Sequence, residues 1–286
     1  MTFSHYDFKY IDSHCHFFPP RIFKSFWNFF ERPDEKGNAT QWPIQYKFDT
    51  DDLVIKLKSF NVESFTTHNY AHKKGVAEFI NEWTCQFANK YKNAIPFGCF
   101  WPEDSNRVEY VARLFEQHDF HGIKIQPLVQ NFYPDDVRMK PIYDLILEKG
   151  KWLCIHAGTA PYRNQYVGYK NFIKLIKKYP DMNVIVAHKG AFEYKKFLSL
   201  LNAHDNYCLD TTMIYIPNNI FFEREWIRPK AEELLSYQER ILFGTDFPNI
   251  PYDYESTTRG LLDMNLPRTF YDKIFYRNAK TIFNLN

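Results

Sequence analysis

The strongest constraint on this chain is a repeat: a short β-branched or aromatic run followed by a longer segment of helical spacing, recurring along almost the whole sequence. Eight such runs read as strands, over 9–14, 63–68, 94–100, 122–126, 152–156, 183–188, 207–211 and 241–246. Between them lie amphipathic segments over 51–60, 75–90, 105–118, 141–149, 169–178, 192–203 and 226–237, the first with Thr50 as its expected N-cap. Strands that alternate with helices pair in parallel through right-handed crossovers. Eight repeats close more readily into a (β/α)8 TIM barrel than they extend an open sheet. No linker or composition break divides the chain, so the expectation is one domain over 1–286, with a loop insertion over 17–50 that carries a short aromatic helix around 22–30.

Composition narrows the partners. A formal net charge of +2, from 36 basic and 34 acidic residues, leaves no electrostatic footprint for nucleic acid or an anionic membrane. Cys15, Cys85, Cys99, Cys154 and Cys208 are odd in number and form no C-x-x-C pair. That argues against a disulfide framework and a cysteine zinc cluster, and for a reducing compartment. The opening "MTFSHYDFKY" has no basic segment leading into an apolar one, and no run reaches bilayer-spanning length. The expectation is a soluble, cytoplasmic protein acting on a small molecule.

In barrels of this kind the chemistry is built where strands end, while strand bodies hold apolar side chains. The expected strands end in His14 and His16, His68, Lys124 and Gln126, His156, His188, Asp210 and Asp246. Along an extended strand, residues two apart share a face, so Asp12, His14 and His16 aim in one direction. His5, His118, His121 and His204 fall in helices, loops or the tail and read as surface residues, and His72 as solvated.

This ordered set resembles the amidohydrolase superfamily, and within it the amidohydrolase-related branch of metal-dependent hydrolases and non-oxidative decarboxylases. The resemblance rests on "DSHCH", "GIKIQP", "CIHAGT", "VIVAHKG" and "LFGTDFP", which fall on strands one, four, five, six and eight, with "YRNAKTIF" as a closing helix. It implies that His14, His16, His156 and Asp246 ligate one divalent metal, with His188 beside it. Three imidazoles and a carboxylate suit Zn²⁺ best, while Mn²⁺, Fe²⁺ and Co²⁺ fit the same donors. Asp12 is expected to brace the metal ligands by a hydrogen bond.

The resemblance further implies hydrolysis of an ester, lactone or amide through a metal-activated water, with Asp246 as proton shuttle and His188 stabilising an oxyanion or acting as a second base. The alternative is decarboxylation of a small carboxylated aromatic or enol acid. That reaction calls for a cation at the substrate carboxylate, and Arg163, Lys189 and Lys124 are the candidates. Lys124 also reads as a carboxylated bridge between two metals, or as a buried cation paired with Asp12, Asp210 or substrate; Gln126, where the branch often has His, favours one metal. A metal-independent lactonase and an inactive binding barrel are the remaining readings, and the resemblance allows a homodimer.

Overall fold

The structure is a computed structural model that describes residues 3–32, 42–161, 163–216 and 230–285. Eight strands form one parallel sheet in sequential order: β1 (Tyr10–Asp12), β2 (Val62–His68), β3 (Ala94–Gly98), β4 (Gly122–Ile125), β5 (Trp152–Ile155), β6 (Asn183–Val186), β7 (Tyr207–Asp210) and β8 (Ile241–Leu242). The seam between β8 and β1 is bridged just past the strand ends, where Ser13 N–H donates to Phe243 O and Asp246 N–H to His14 O, each at 2.8 Å. The sheet is the (β/α)8 barrel that the repeat predicts.

Around it run α1 (Pro20–Phe30), α2 (Thr50–Ser59), α3 (Ala77–Lys90), α4 (Arg107–Gln117), α5 (Pro127–Gln130), α6 (Lys140–Glu148), α7 (Tyr169–Lys178), α8 (Tyr194–Leu200), α9 (Ala231–Ser236), α10 (Glu255–Leu262), α11 (Arg268–Asp272) and α12 (Asn278–Ile282). The expected cap of α2 is corrected by one residue: the Asp49 carboxylate accepts from Asp52 N–H at 3.0 Å, while Thr50 is the first helical residue. The helix expected over 226–237 is present as α9, and residues 226–229 lie outside the described residues. Among the described residues no helix is long and apolar enough to cross a membrane.

Period-two alternation sorts each strand into two layers. Leu153, Ile155, Val184, Val186 and Leu209 face outward and pack with Phe172, Leu175 and Phe197 of the helical layer. The intervening Cys154, Ile185 and Cys208 face inward with Ile11, Ile95, Phe97 and Leu242, and Phe283 at the end of α12 plugs that interior. The closing segment is held by Asn278, whose amide donates to Gln238 O and Ile241 O. Inward parity continued past the apolar layer brings Asp210 and His156 to the opposite, C-terminal end.

Candidate active site

At that end three imidazoles each have one nitrogen committed, and the commitments fix their tautomers. His14 Nδ1 meets Asp210 Oδ2 at 2.7 Å, His16 Nδ1–H donates to His68 O at 2.6 Å, and His156 Nε2–H donates to Ala160 O at 2.7 Å. The second ring nitrogens are His14 Nε2, His16 Nε2 and His156 Nδ1. The first two converge on Asp246 Oδ1, at 3.2 and 3.0 Å. His156 Nδ1 is buried without a hydrogen-bond partner, and the ring stands 4.8 Å from that of His188, itself 5.1 Å from His14.

Electrostatics keep this set ready to ligate. Burial lowers the pKa of His14, reinforced by the Lys124 ammonium, and likewise that of His156, reinforced by His188. Burial also lowers His188, with Asp246 and Asp210 pulling the other way. Neutral imidazole is the form that binds metal. For Asp246 burial acts upward, but His16, His14 and His188 together outweigh it and hold the carboxyl below the usual range, so it is an anion. An orphaned imidazole nitrogen, an ionised carboxylate oxygen and the two imidazole nitrogens that face it are donors of the kind a divalent cation takes. His14, His188 and Asp246 also bring one donor atom each within 4.8 Å of one another.

Close backbone packing puts these groups in place. His188 and Asp246 both lie in the left-handed region, at φ 54° and 73°, directly after their strands. The His188 turn is tied down by its N–H, which donates to Asp210 Oδ1 at 2.8 Å. It is also wedged by two glycines: a Cβ on Gly190 would stand 1.9 Å from the Phe197 ring, and one on Gly158 would stand 2.4 Å from the Gly190 carbonyl oxygen. The loops after β5 and β6 can therefore touch only as bare backbone, which is what brings His156 beside His188.

Beneath the imidazoles the expected supporting residues behave unequally. Asp12 does brace the site: Oδ1 accepts from His14 N–H at 3.1 Å, and Oδ2 from Thr245 Oγ1 at 2.6 Å and Tyr254 OH at 2.8 Å. Burial raises its pKa to about 6, with those hydrogen bonds acting in the opposite sense. Ile11 is the β1 residue in the interior layer, and the Asp12 carboxylate is taken up by Thr245 and Tyr254 rather than by the imidazole rings. Lys124 is fully buried on β4, with Nζ 3.5 Å from His14 Nε2 and 3.6 Å from Cys154 Sγ. It pairs with neither Asp12 nor Asp210, and among the described residues it forms no ion pair.

Two of the proposed cations are absent from the cavity. Arg163 is exposed and is not among the residues that line it; Lys189 is buried with its ammonium against the Tyr215 hydroxyl. Neither of these two cations lines the cavity as expected. Conversely, Asp210 is the residue that sequence reasoning underused. Expected as a strand end and as a partner of Lys124, it instead holds His14 and the His188 turn at once. Its inward parity with Cys208 was the available signal. His68 acts mainly through its carbonyl, with its ring 4.8 Å from His14 and within reach of Cys154. His5, read as a surface residue, is buried between Phe60 O and Thr258.

The cluster opens into a cavity of about 790 Å³ at the barrel mouth. His16, His156, His188 and Asp246 lie on one wall, and the aromatic helix α1 supplies another.

A (β/α)8 barrel with a histidine and carboxylate cluster at its C-terminal mouth is the class that fold and site define. A family model described as Amidohydrolase matches residues 11–285, and the chain belongs to that family. No curated protein matches the sequence. Among solved structures, a 5-carboxyvanillate decarboxylase from Novosphingobium aromaticivorans, complexed with manganese and 4-hydroxy-3-methoxy-5-nitrobenzoic acid, is 16% identical, with 97% of this chain and 96% of that one covered and a TM-score of 0.69. A 2,6-dihydroxybenzoate decarboxylase from Rhizobium is 15% identical, with coverage of 97% and 99% and a TM-score of 0.66. A probable 2-pyrone-4,6-dicarboxylic acid hydrolase from Acinetobacter baumannii, with citric acid bound, is 14% identical, with coverage of 97% and 100% and a TM-score of 0.66. At these identities the likeness is one of fold.

Proposed function

We propose that the protein is a metal-dependent hydrolase of a small-molecule ester, lactone or amide, with one divalent ion, Zn²⁺ by preference, held by His14, His16, His156 and Asp246. The observation that carries this reading is His156 Nδ1, buried without a partner on the cavity wall it shares with His16 and with the ionised Asp246 carboxylate, on which His14 Nε2 and His16 Nε2 converge. Bound there, such an ion supplies Lewis acidity that acidifies water and polarises a carbonyl.

The chain's own residues do the rest. Asp246 Oδ1 stands at the mouth as an anion and takes a proton from the attacking water, then returns it to the leaving group. His188 lies on the cavity wall, neutral and oriented by its turn, where it donates a hydrogen bond to the oxyanion that develops on the substrate. Asp210 holds the His14 ring in one tautomer, and Asp12 fixes the backbone that carries it. Hydrolysis is preferred to decarboxylation because, among the described residues, the lining holds no buried cation outside the histidine cluster: Arg32 is exposed, Arg163 lies off the cavity, and Lys124 and Lys189 are not part of its lining.

The test is chelation followed by reconstitution, with acid release and CO₂ followed in parallel over lactones, amides and hydroxylated or carboxylated aromatics. Turnover lost on chelation and restored by one equivalent of divalent metal per chain, with acid as product, is expected. CO₂ as the product selects the decarboxylase. Turnover indifferent to chelation, or a need for two equivalents, overturns the metal assignment.

A further inference from the structure

The cavity's size and lining say what kind of body the substrate has. Its volume of about 790 Å³ lies high in the range of about 300–1,000 Å³ typical of pockets for drug-sized ligands, well above what one substituted ring fills. Phe18, Ile22, Phe26, Phe29 and Phe30 line one side from α1 and the segment leading into it, and Leu128, Pro161, Met213 and Ile214 contribute from the barrel loops.

Among the described lining residues, the polar complement away from the histidine cluster is neutral except for Arg32, which is exposed. Inside, one half-buried and one buried amide each have a buried hydrogen-bonding atom without a partner. Gln126 Oε1 has no partner, and neither has Asn249 Nδ2 on a residue only 3% exposed. The Asn249 orientation is chemically fixed, because Oδ1 accepts at 3.3 Å from the Trp27 indole N–H, which can only donate. Trp42 Nε1 donates to the Asn249 carbonyl at 2.9 Å, so the insertion is stapled to the barrel through the same residue that offers the free donor. Buried neutral donors and acceptors without partners suit hydroxyl, ether or carbonyl groups, and among the described lining residues a second carboxylate finds no buried counter-charge, Arg32 being exposed.

We propose that the cavity takes a substrate whose reacting carbonyl or carboxyl group meets the histidine cluster and whose body is an extended, uncharged ring system of at least two fused rings, packed against the α1 wall. The proposal rests on the cluster being the reactive end of the cavity, as argued above.

Calorimetric titration of the Zn²⁺-loaded protein with benzoate, 2-naphthoate and isophthalate tests it. These probes share one carboxylate and differ by an added ring or an added charge. Burial of one more ring predicts 2-naphthoate tighter than benzoate by about tenfold, with isophthalate no tighter than benzoate. Phe26→Ala is expected to reduce the naphthoate advantage several-fold and leave the benzoate Kd within about twofold, since it removes apolar wall away from the carboxylate. Benzoate and naphthoate within about twofold of each other in the unmodified protein, or isophthalate the tightest of the three, would overturn the proposal without reliance on any variant. Because the readout is binding, it separates from the reaction. A naphthoate preference with no turnover on any ester, lactone or amide removes the hydrolase reading and supports this one; turnover on esters with no preference for larger bodies does the reverse.

Discussion

The two ends of the barrel are built from the same strands and differ in what they can give up. At the closed end Phe283 sits among Ile95, Phe97, Ile185 and Leu242, with the His121 ring at its edge. At the mouth the inward positions are Lys124, His156 and Asp210, together with His14 and Asp246 beyond the strand ends, all polar and all buried except Asp246, which is partly exposed. Polar groups can occupy that depth because each is met by a neighbour in a defined role: Asp210 by His14 and the His188 turn, Asp12 by three donors. The apolar end contributes stability without chemistry, and the mouth carries chemistry at the cost of desolvating its charges. Substitutions at the two ends should therefore separate activity from stability.

The largest separation is expected at the mouth. Asp246→Asn keeps the shape and removes the anion that faces both His14 Nε2 and His16 Nε2, so kcat/KM should fall by about 10²–10⁴-fold. Near-normal turnover in that variant would remove Asp246 from the reaction. At the opposite end Phe283→Ala leaves a void in the closed interior and should cost about 3–5 kcal/mol in urea denaturation, with kcat unchanged in the folded protein. A comparable loss of kcat there would mean that the ends are coupled, and the comparison would fail.

Asp210→Asn lies between the two, because it touches no substrate-facing surface but orients a ligand. The amide can still accept from the His188 N–H, yet it loses the charge opposite His14 Nδ1. Metal affinity is expected to fall about 10–100-fold, read by competition with a chromogenic chelator, with little loss of folding stability. Unchanged affinity would reduce Asp210 to a backbone clamp.

The same contrast explains what was legible in the sequence. The barrel was legible because its signal is periodic: inward and outward residues of β5, β6 and β7 alternate without exception. His14, His16, His156, His188 and Asp246 were legible because strand ends converge by topology. The partners that fix each ring were not, since the Ala160 and His68 carbonyls are backbone atoms with no signature in residue identity. Nor was the direction of long side chains. Lys124 has the inward parity expected of it yet settles against a thiol and an imidazole, and Lys189, adjacent to His188, points at Tyr215 because the turn at 188–191 is left-handed throughout. The Asp49 cap was missed by one residue because Asp and Thr cap equally well in kind, and only the backbone angles choose between them.

Arg163 offers the smallest effect and the sharpest check on that last point. By position it follows β5 and the His156 loop, which is where a cation for a substrate carboxylate would be sought. By placement it is exposed and off the cavity lining, while Arg32 is on it. An exposed guanidinium without a role in the site contributes little, so Arg163→Ala should leave kcat/KM within about twofold on any substrate found. The result that matters is the other one. A tenfold fall confined to carboxylated substrates, with esters unaffected, would show that the loop carries Arg163 inward when an anion is present, and would move the balance of the site from hydrolysis towards loss of CO₂.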